Sequence, residues 1–156
     1  EAQLAAAVPL VLVAIAQAQV EHRGSAVPKL CGEGCREKIG IGEGLVVDDG
    51  KSVIAFPSDT GPTDEFWEYL NGLDRLDAVF LEISFPDCLQ DLAEKSGHHC
   101  TKTFVNELQK LKHTVRWIVV HRKPRYAEQI ADELTAYGIQ DVELVQLGKS
   151  YSFPGS

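Results

Sequence analysis

Asp59, Glu82, His98 and His121 are the residues whose types and positions suit chemistry. Asp59 follows an apolar run, Val53 to Phe56, that ends in Pro57 and opens into the small-residue loop Ser58-Asp-Thr-Gly-Pro62. Glu82 is the only charged residue between Ala78 and Phe85, and a carboxylate buried in such a run needs a partner. His98 lies just before a helical pattern that begins at Thr101, and His121 closes the stretch Val115 to Val120. A carboxylate with imidazoles at strand ends suits a hard-to-borderline divalent metal such as Zn²⁺ or Mn²⁺. A Glu–His pair beside it suits proton transfer to a leaving oxygen. Simpler readings stand next to these. Asp59 can cap the next helix or close an Asx turn, His98 and His99 can be loop residues, and Glu82 can pair with a buried arginine.

The elements that must position these groups follow from periodicity and punctuation. Leu45 to Phe56 reads as a hairpin with Asp49-Gly50 at its turn. Thr63 to Leu76 is amphipathic, with Phe66, Trp67, Leu70 and Leu73 on its core face. Ala78 to Phe85 is a strand, Pro86 to Ser96 an irregular segment or short helix, and Thr101 to Leu111 a helix. Val115 to Val120 is a further strand. Tyr126 to Tyr137 is a helix stopped by Gly138, Val142 to Val145 a last strand, and Lys149 to Ser156 a tail. This alternation implies a layered α/β domain that gathers its strand-end residues at one rim.

Before the hairpin, Gly24 to Gly44 reads as a long Gly-rich loop, and Leu10 to Ile15 as a buried strand. Residues 4–20 carry no charge, so a signal-peptide core ending at Ala16-Gln-Ala18 competes with the strand. The strand is preferred: no basic residue precedes the run, it contains Pro9, and it is short for a span of ~20 apolar residues.

With 156 residues, the chain is long enough for one domain with a sizeable core. A net charge of −8 argues against broad nucleic-acid binding. It leaves room for a phosphorylated substrate held by metal, because the metal reverses the local field. Cys31-Gly-Glu-Gly-Cys35 could be a disulfide pair, half a metal site or two free thiols; free thiols are preferred, a reducing compartment being the default. The sequence holds no Met and begins at Glu1, so the expectation is a processed chain or a part of a longer protein.

Four runs in order carry a family resemblance: SDTGP at 58–62, LEISFPD at 81–87, LAEKSGH at 92–98 and VVHRKPRY at 119–126. Over roughly Leu45 to Tyr151 the chain resembles the C-terminal half of metallo-β-lactamase-fold phosphodiesterases. The likeness is greatest to the class II 3′,5′-cyclic-nucleotide phosphodiesterases, and more distant to the tRNA 3′-processing endonucleases. It implies an αββα sandwich of the α/β (α+β layered) class, present as its C-terminal half over residues 21–156. Residues 1–20 are then an apolar segment, either a strand or a remnant of a preceding region.

The resemblance also implies roles. Asp59 matches the aspartate of a GDTG motif that bridges two metal ions, with Ser58 in place of the first Gly. His121 matches the terminal ligand of a T-H-x-K-P motif, with Val120 in place of Thr. Glu82 and His98 match a Glu–His pair that protonates the leaving group. His22, two residues before Gly24, stands for a ligand that precedes the GDTG motif. A complete site of this kind holds two Zn²⁺ (or Mn²⁺) ions and takes a cyclic nucleotide or other phosphodiester.

The departures are specific. The H-x-H-x-D-H signature that supplies most ligands is absent, and Ser96-Gly-His-His-Cys-Thr101 stands where the family reads S-G-H-L-T-P. Activity is therefore expected only with the missing half; the alternative is a non-catalytic remnant kept for binding or assembly. Homo-oligomerisation or association with the missing half is expected, without a membrane. The location is cytoplasmic, or secreted if residues 4–18 are a signal peptide, in which case the chain would be a binding domain.

Overall fold

The computed structural model describes residues 37–41, 44–146 and 148–153. Its core is a six-stranded sheet in the order β1-β2-β3-β4-β5-β6. The strands are β1 Glu37–Ile41, β2 Gly44–Asp48, β3 Val53–Phe56, β4 Ala78–Glu82, β5 Arg116–Val120 and β6 Val142–Leu144. The first three pair antiparallel and the last three join in parallel, giving the mixed sheet of an α/β layered domain.

The turn between β2 and β3 is built as its sequence demands. Asp48 Oδ1 accepts from the N–H of Gly50 at 2.6 Å, and Asp49 Oδ1 from those of Lys51 and Ser52 at 2.8 and 2.6 Å. The step from antiparallel to parallel pairing is fixed by Asp77. Its carboxylate accepts from Val53 N at 2.6 Å and its own N–H donates to Val53 O at 2.8 Å, which sets β4 beside β3.

Period-two alternation divides the sheet into two faces. Val53, Ala55, Val79, Leu81 and Val119 face one side, under α1 (Glu65–Asn71), α3 (Thr101–Leu108) and α4 (Ala127–Ala136). These helices bury Phe66, Trp67, Leu70, Phe104, Ile130 and Leu134 against it. Each such side chain gives about 1.5–3 kcal/mol of burial, so this face is the stable frame of the site. Gly44 is required for that contact, because a Cβ there would lie 2.3 Å from the Phe66 ring. Ile54, Phe56, Ala78, Phe80 and Ile118 form the opposite face. There the C-terminal tail lays Tyr151 and Phe153 edge-on against Phe80, with ring centres 6.0 Å away in each case.

Several boundaries differ from the sequence reading. Glu37–Ile41, read as part of a loop, is a strand whose full register with β2 runs from Glu37↔Asp48 to Ile41↔Gly44. Backbone pairing overrode the local glycine content. Helix α1 ends at Asn71 rather than Leu76; Gly72 caps it, and Leu76 is buried from the following loop. Pro86 to Ser96 forms a 3₁₀ turn, Asp87–Leu89, and a short helix, α2, Gln90–Ser96. No helix among the described residues is long and apolar enough to cross a membrane. The apolar segment 1–20, His22, Cys31 and Cys35 lie outside the described residues. Cys88 and Cys100 are free thiols.

Candidate metal centre

The candidate side chains Asp59, Glu82, His98 and His121 gather at the C-terminal rim of the parallel strands. β3 delivers Asp59, and the preceding Ser58 adopts a left-handed backbone with φ 65°. The glycine expected in that position by family resemblance would take this geometry freely, whereas serine takes it with strain. β5 ends the same way: His121 has φ 55°. These are the two positive-φ non-glycine residues among those described, and both belong to the site.

Glu82 is the last residue of β4, and the strand alternation carries it and Ser84 to the same side. Both are fully buried. The chain then returns through α2, which Gly97 terminates in a left-handed conformation with φ 70°. That turn lays residues 98–100 beside 82–85. His99 O accepts from the N–H groups of Ser84 and Phe85 at 3.1 and 3.2 Å, and Phe85 bridges Cys100 in parallel.

Glu82 therefore meets neither an arginine nor solvent. Its Oε1 is 2.9 Å from His98 Nδ1 and accepts from the His99 N–H at 2.9 Å, while Oε2 accepts from Ser84 Oγ at 2.6 Å. With Nδ1 committed to Glu82, the imidazole of His98 has Nε2 left for other work. The Ser84 hydroxyl also lies 3.4 Å from His98 Nδ1 and 3.3 Å from His121 Nδ1, so one small group touches both histidines.

Asp59 Oδ1 is 2.7 Å from His121 Nδ1, yet this buried oxygen has no directed hydrogen bond. A carboxylate oxygen and an imidazole nitrogen this close, without a well-aligned hydrogen bond between them, could share a cation. His98 completes the set: one ligand atom from each of Asp59, His98 and His121 falls within 4.8 Å of the others. One carboxylate and two imidazoles could hold a divalent metal, with open positions for water or substrate. Asp59 does not cap α1, where Asp64 occupies the N-cap position.

Charge reinforces the arrangement. Burial pushes the Asp59 carboxyl up, but the His121 imidazole and nearby cations outweigh it and hold the group below its ordinary 3.8. The Asp59 contact raises His121 above its ordinary 6.5, against the opposing effect of burial. His99 is fully buried with Nε2 unpartnered, and burial pulls its imidazole down.

Four segments distant in sequence thus bring Asp59, Glu82, His98 and His121 together. His22 lies outside the described residues. Two participants escaped the sequence reading. Ser84 was signalled by its spacing of two from Glu82 on a strand, which puts both on one face. Lys123 follows His121 on the same loop, and burial holds its ammonium below the ordinary value although Glu82 and Asp59 attract it.

No family model matches the chain, and no curated protein matches it. Its fold is that of the metallo-β-lactamases, on the strength of solved structures. One is human tRNase Z, short form (ELAC1), with a TM-score of 0.52 and 19% identity, covering 71% of this chain and 38% of that one. Another is the metallo-β-lactamase-fold protein YhfI from Bacillus subtilis, with a TM-score of 0.50 and 13% identity, covering 74% and 52%. The chain thus spans between about a third and a half of the length of these neighbours.

Proposed function

We propose that the chain is the C-terminal half of a metal-dependent phosphodiester hydrolase whose substrate is a 3′,5′-cyclic nucleotide. The observation that carries this reading is the Asp59–His98–His121 cluster beside a buried Glu82–His98 pair 2.9 Å apart. The fold it shares with a tRNA-processing enzyme supports phosphodiester chemistry, and the order of the four sequence motifs supports the cyclic nucleotide.

When bound, Zn²⁺ or Mn²⁺ supplies Lewis-acid polarisation of a phosphoryl oxygen and a water acidic enough to act as nucleophile. Asp59 and His121 would hold the metal. Glu82 accepts from the Nδ1–H of His98 and orients the ring, so that in the doubly protonated imidazolium the Nε2–H would be presented to the departing ribose oxygen, leaving the neutral Nδ1–H tautomer after donation. Ser84 Oγ and the His99 N–H donate to Glu82 and keep it in place. Three protein ligands make at most one site, and a two-metal centre needs further ligands from a missing half or from another copy of the chain.

The 4.8 Å grouping favours a second role for His98, as a third metal ligand through Nε2. Metal content and turnover of His98→Ala in the assembled protein decide between them. A proton donor loses 10²–10⁴-fold in turnover on a cyclic nucleotide, much less on a nitrophenyl phosphodiester, and keeps its metal. Loss of metal assigns His98 to ligation. Absence of turnover in the assembled, metal-loaded wild type assigns the chain to binding or assembly, the role favoured by the missing H-x-H-x-D-H signature.

A further inference from the structure

The loop after His121 concentrates positive charge in an acidic chain, as Arg122, Lys123 and Arg125. Arg122 Nη2 donates to Val145 O at 3.4 Å while its buried Nε has no partner, and the Arg125 guanidinium lies 4.5 Å from the centre of the neighbouring Tyr126 ring. Lys123 also rests on a ring, but on the one that meets the site. Its Nζ stands 3.7 Å above the centre of the Phe85 ring, and among the described residues it makes no ion pair with a carboxylate. Phe85 in turn meets His98 edge-on with ring centres 6.0 Å apart. The ammonium is therefore one aromatic ring away from the histidine of the site.

A half-buried ammonium resting on an aromatic face is attracted to the ring, but the ring accepts none of its directed hydrogen bonds well. The nearest carboxylates are engaged: Glu82 with His98, His99 and Ser84, and Asp59 with His121. What the ammonium lacks is an acceptor carrying negative charge. A phosphodiester offers one, because its non-bridging oxygens share a charge that a lysine meets as a point contact.

We propose that Lys123 is the anion-contacting residue of this site, its ammonium presented by the face of Phe85 to a non-bridging oxygen of the phosphoester. The assignment rests on the hydrolase reading above and deepens it by selecting anionic phosphoesters over neutral ones. Inorganic phosphate is the probe, titrated calorimetrically into the chain with and without bound Zn²⁺. Lys123→Gln should lower phosphate affinity at least tenfold and leave Zn²⁺ affinity within twofold of wild type. Lys123→Arg should keep most of the phosphate affinity, and Phe85→Leu, which removes the ring but not the charge, should lose several-fold.

Unchanged phosphate binding in Lys123→Gln overturns the assignment, as does a wild type that binds no phosphate under either condition. A parallel loss of Zn²⁺ in Lys123→Gln also overturns it, since the lysine would then only support the metal centre. A Lys123-dependent phosphate site in a chain that takes up no Zn²⁺ leaves the lysine assigned and removes the metal reading instead.

Discussion

Two glutamates of this chain are almost wholly buried, Glu82 at 0% and Glu107 at 1% exposure, and they serve different ends. Glu107 is closed on structure. Its Oε2 accepts from the Trp67 indole N–H and from Thr63 N, while Oε1 takes the Lys110 ammonium at 2.8 Å. These bonds tie α3 to α1 and end in a lysine that also reaches Asp64. Glu82 is satisfied just as fully, yet one of its partners is His98, which opens toward Asp59 and His121. A buried carboxylate therefore says little by itself. What distinguishes a site is whether its network ends on a fixed cation or on a titratable ring with a free nitrogen.

The largest expected effect belongs to the closed network. Glu107→Ala strands an indole N–H and a backbone N–H in the interior, and should lower stability by about 3 kcal/mol. Zn²⁺ affinity in the fraction that remains folded should be unchanged. Glu107→Gln keeps an acceptor for both donors and should cost only about 1 kcal/mol. Urea denaturation of both variants measures this; equal losses would show that the Lys110 charge, rather than the donors, dominates.

The same comparison shows what could be read in the residues alone. Asp59, Glu82 and His121 announce themselves because each interrupts or ends an apolar run, and burial makes that exception costly. His98 is legible as a histidine before a helix, but its position over Glu82 depends on the reversal at Gly97 and on the pairing of 82–85 with 98–100. No local pattern encodes that pairing. Glu107 was missed because it sits in an amphipathic helix, where a glutamate is ordinary until α1 is packed against it. β1 was hidden for a related reason: its glycine suits a loop, and only the partner strand supplies the hydrogen bonds that make it a strand.

Next in size come the metal ligands. Asp59→Ala and His121→Ala should each weaken Zn²⁺ binding about 100-fold, since either removes one of at most three protein ligands. Stability without metal should move little, because both groups are only partly buried. Calorimetry that finds Zn²⁺ binding intact in both variants would return the site to a plain ion pair and erase its difference from the Glu107 network. Ser84→Ala is a smaller perturbation. Loss of its bond to Glu82 should cost about 1 kcal/mol of stability. Zn²⁺ affinity should fall by up to about tenfold, as for a group that orients ligands without touching the ion. A purely structural serine would change the first quantity and not the second, and Ser84→Thr should restore both if the added methyl is accommodated.

The smallest effect expected is also the one whose sign is most constrained. In the metal-free chain His121 titrates above its ordinary 6.5, so its stabilising contribution is complete below 6.5 and is lost as pH rises through the raised value. Asp59 titrates below its ordinary 3.8, so its contribution is present above 3.8 and is lost as pH falls through the lowered value. The pair therefore stabilises most between these limits. The side chains are 31% and 34% exposed, so solvent screening should hold the gain below about 1 kcal/mol. Buried His99 acts in the opposite direction: its imidazole is held down, so stability declines as pH falls below 6.5 and the unfolded chain takes up that proton. A difference measurement cancels this background. The stability gap between wild type and Asp59→Asn, taken in chelator from pH 4 to 9, should be widest near pH 5–6 and should close toward pH 9. With Zn²⁺ present the order reverses, because the ion competes with the proton for His121 and binds more tightly as the imidazole becomes neutral. A gap independent of pH would mean that Asp59 supports the loop through its shape alone, as Glu107 supports α1.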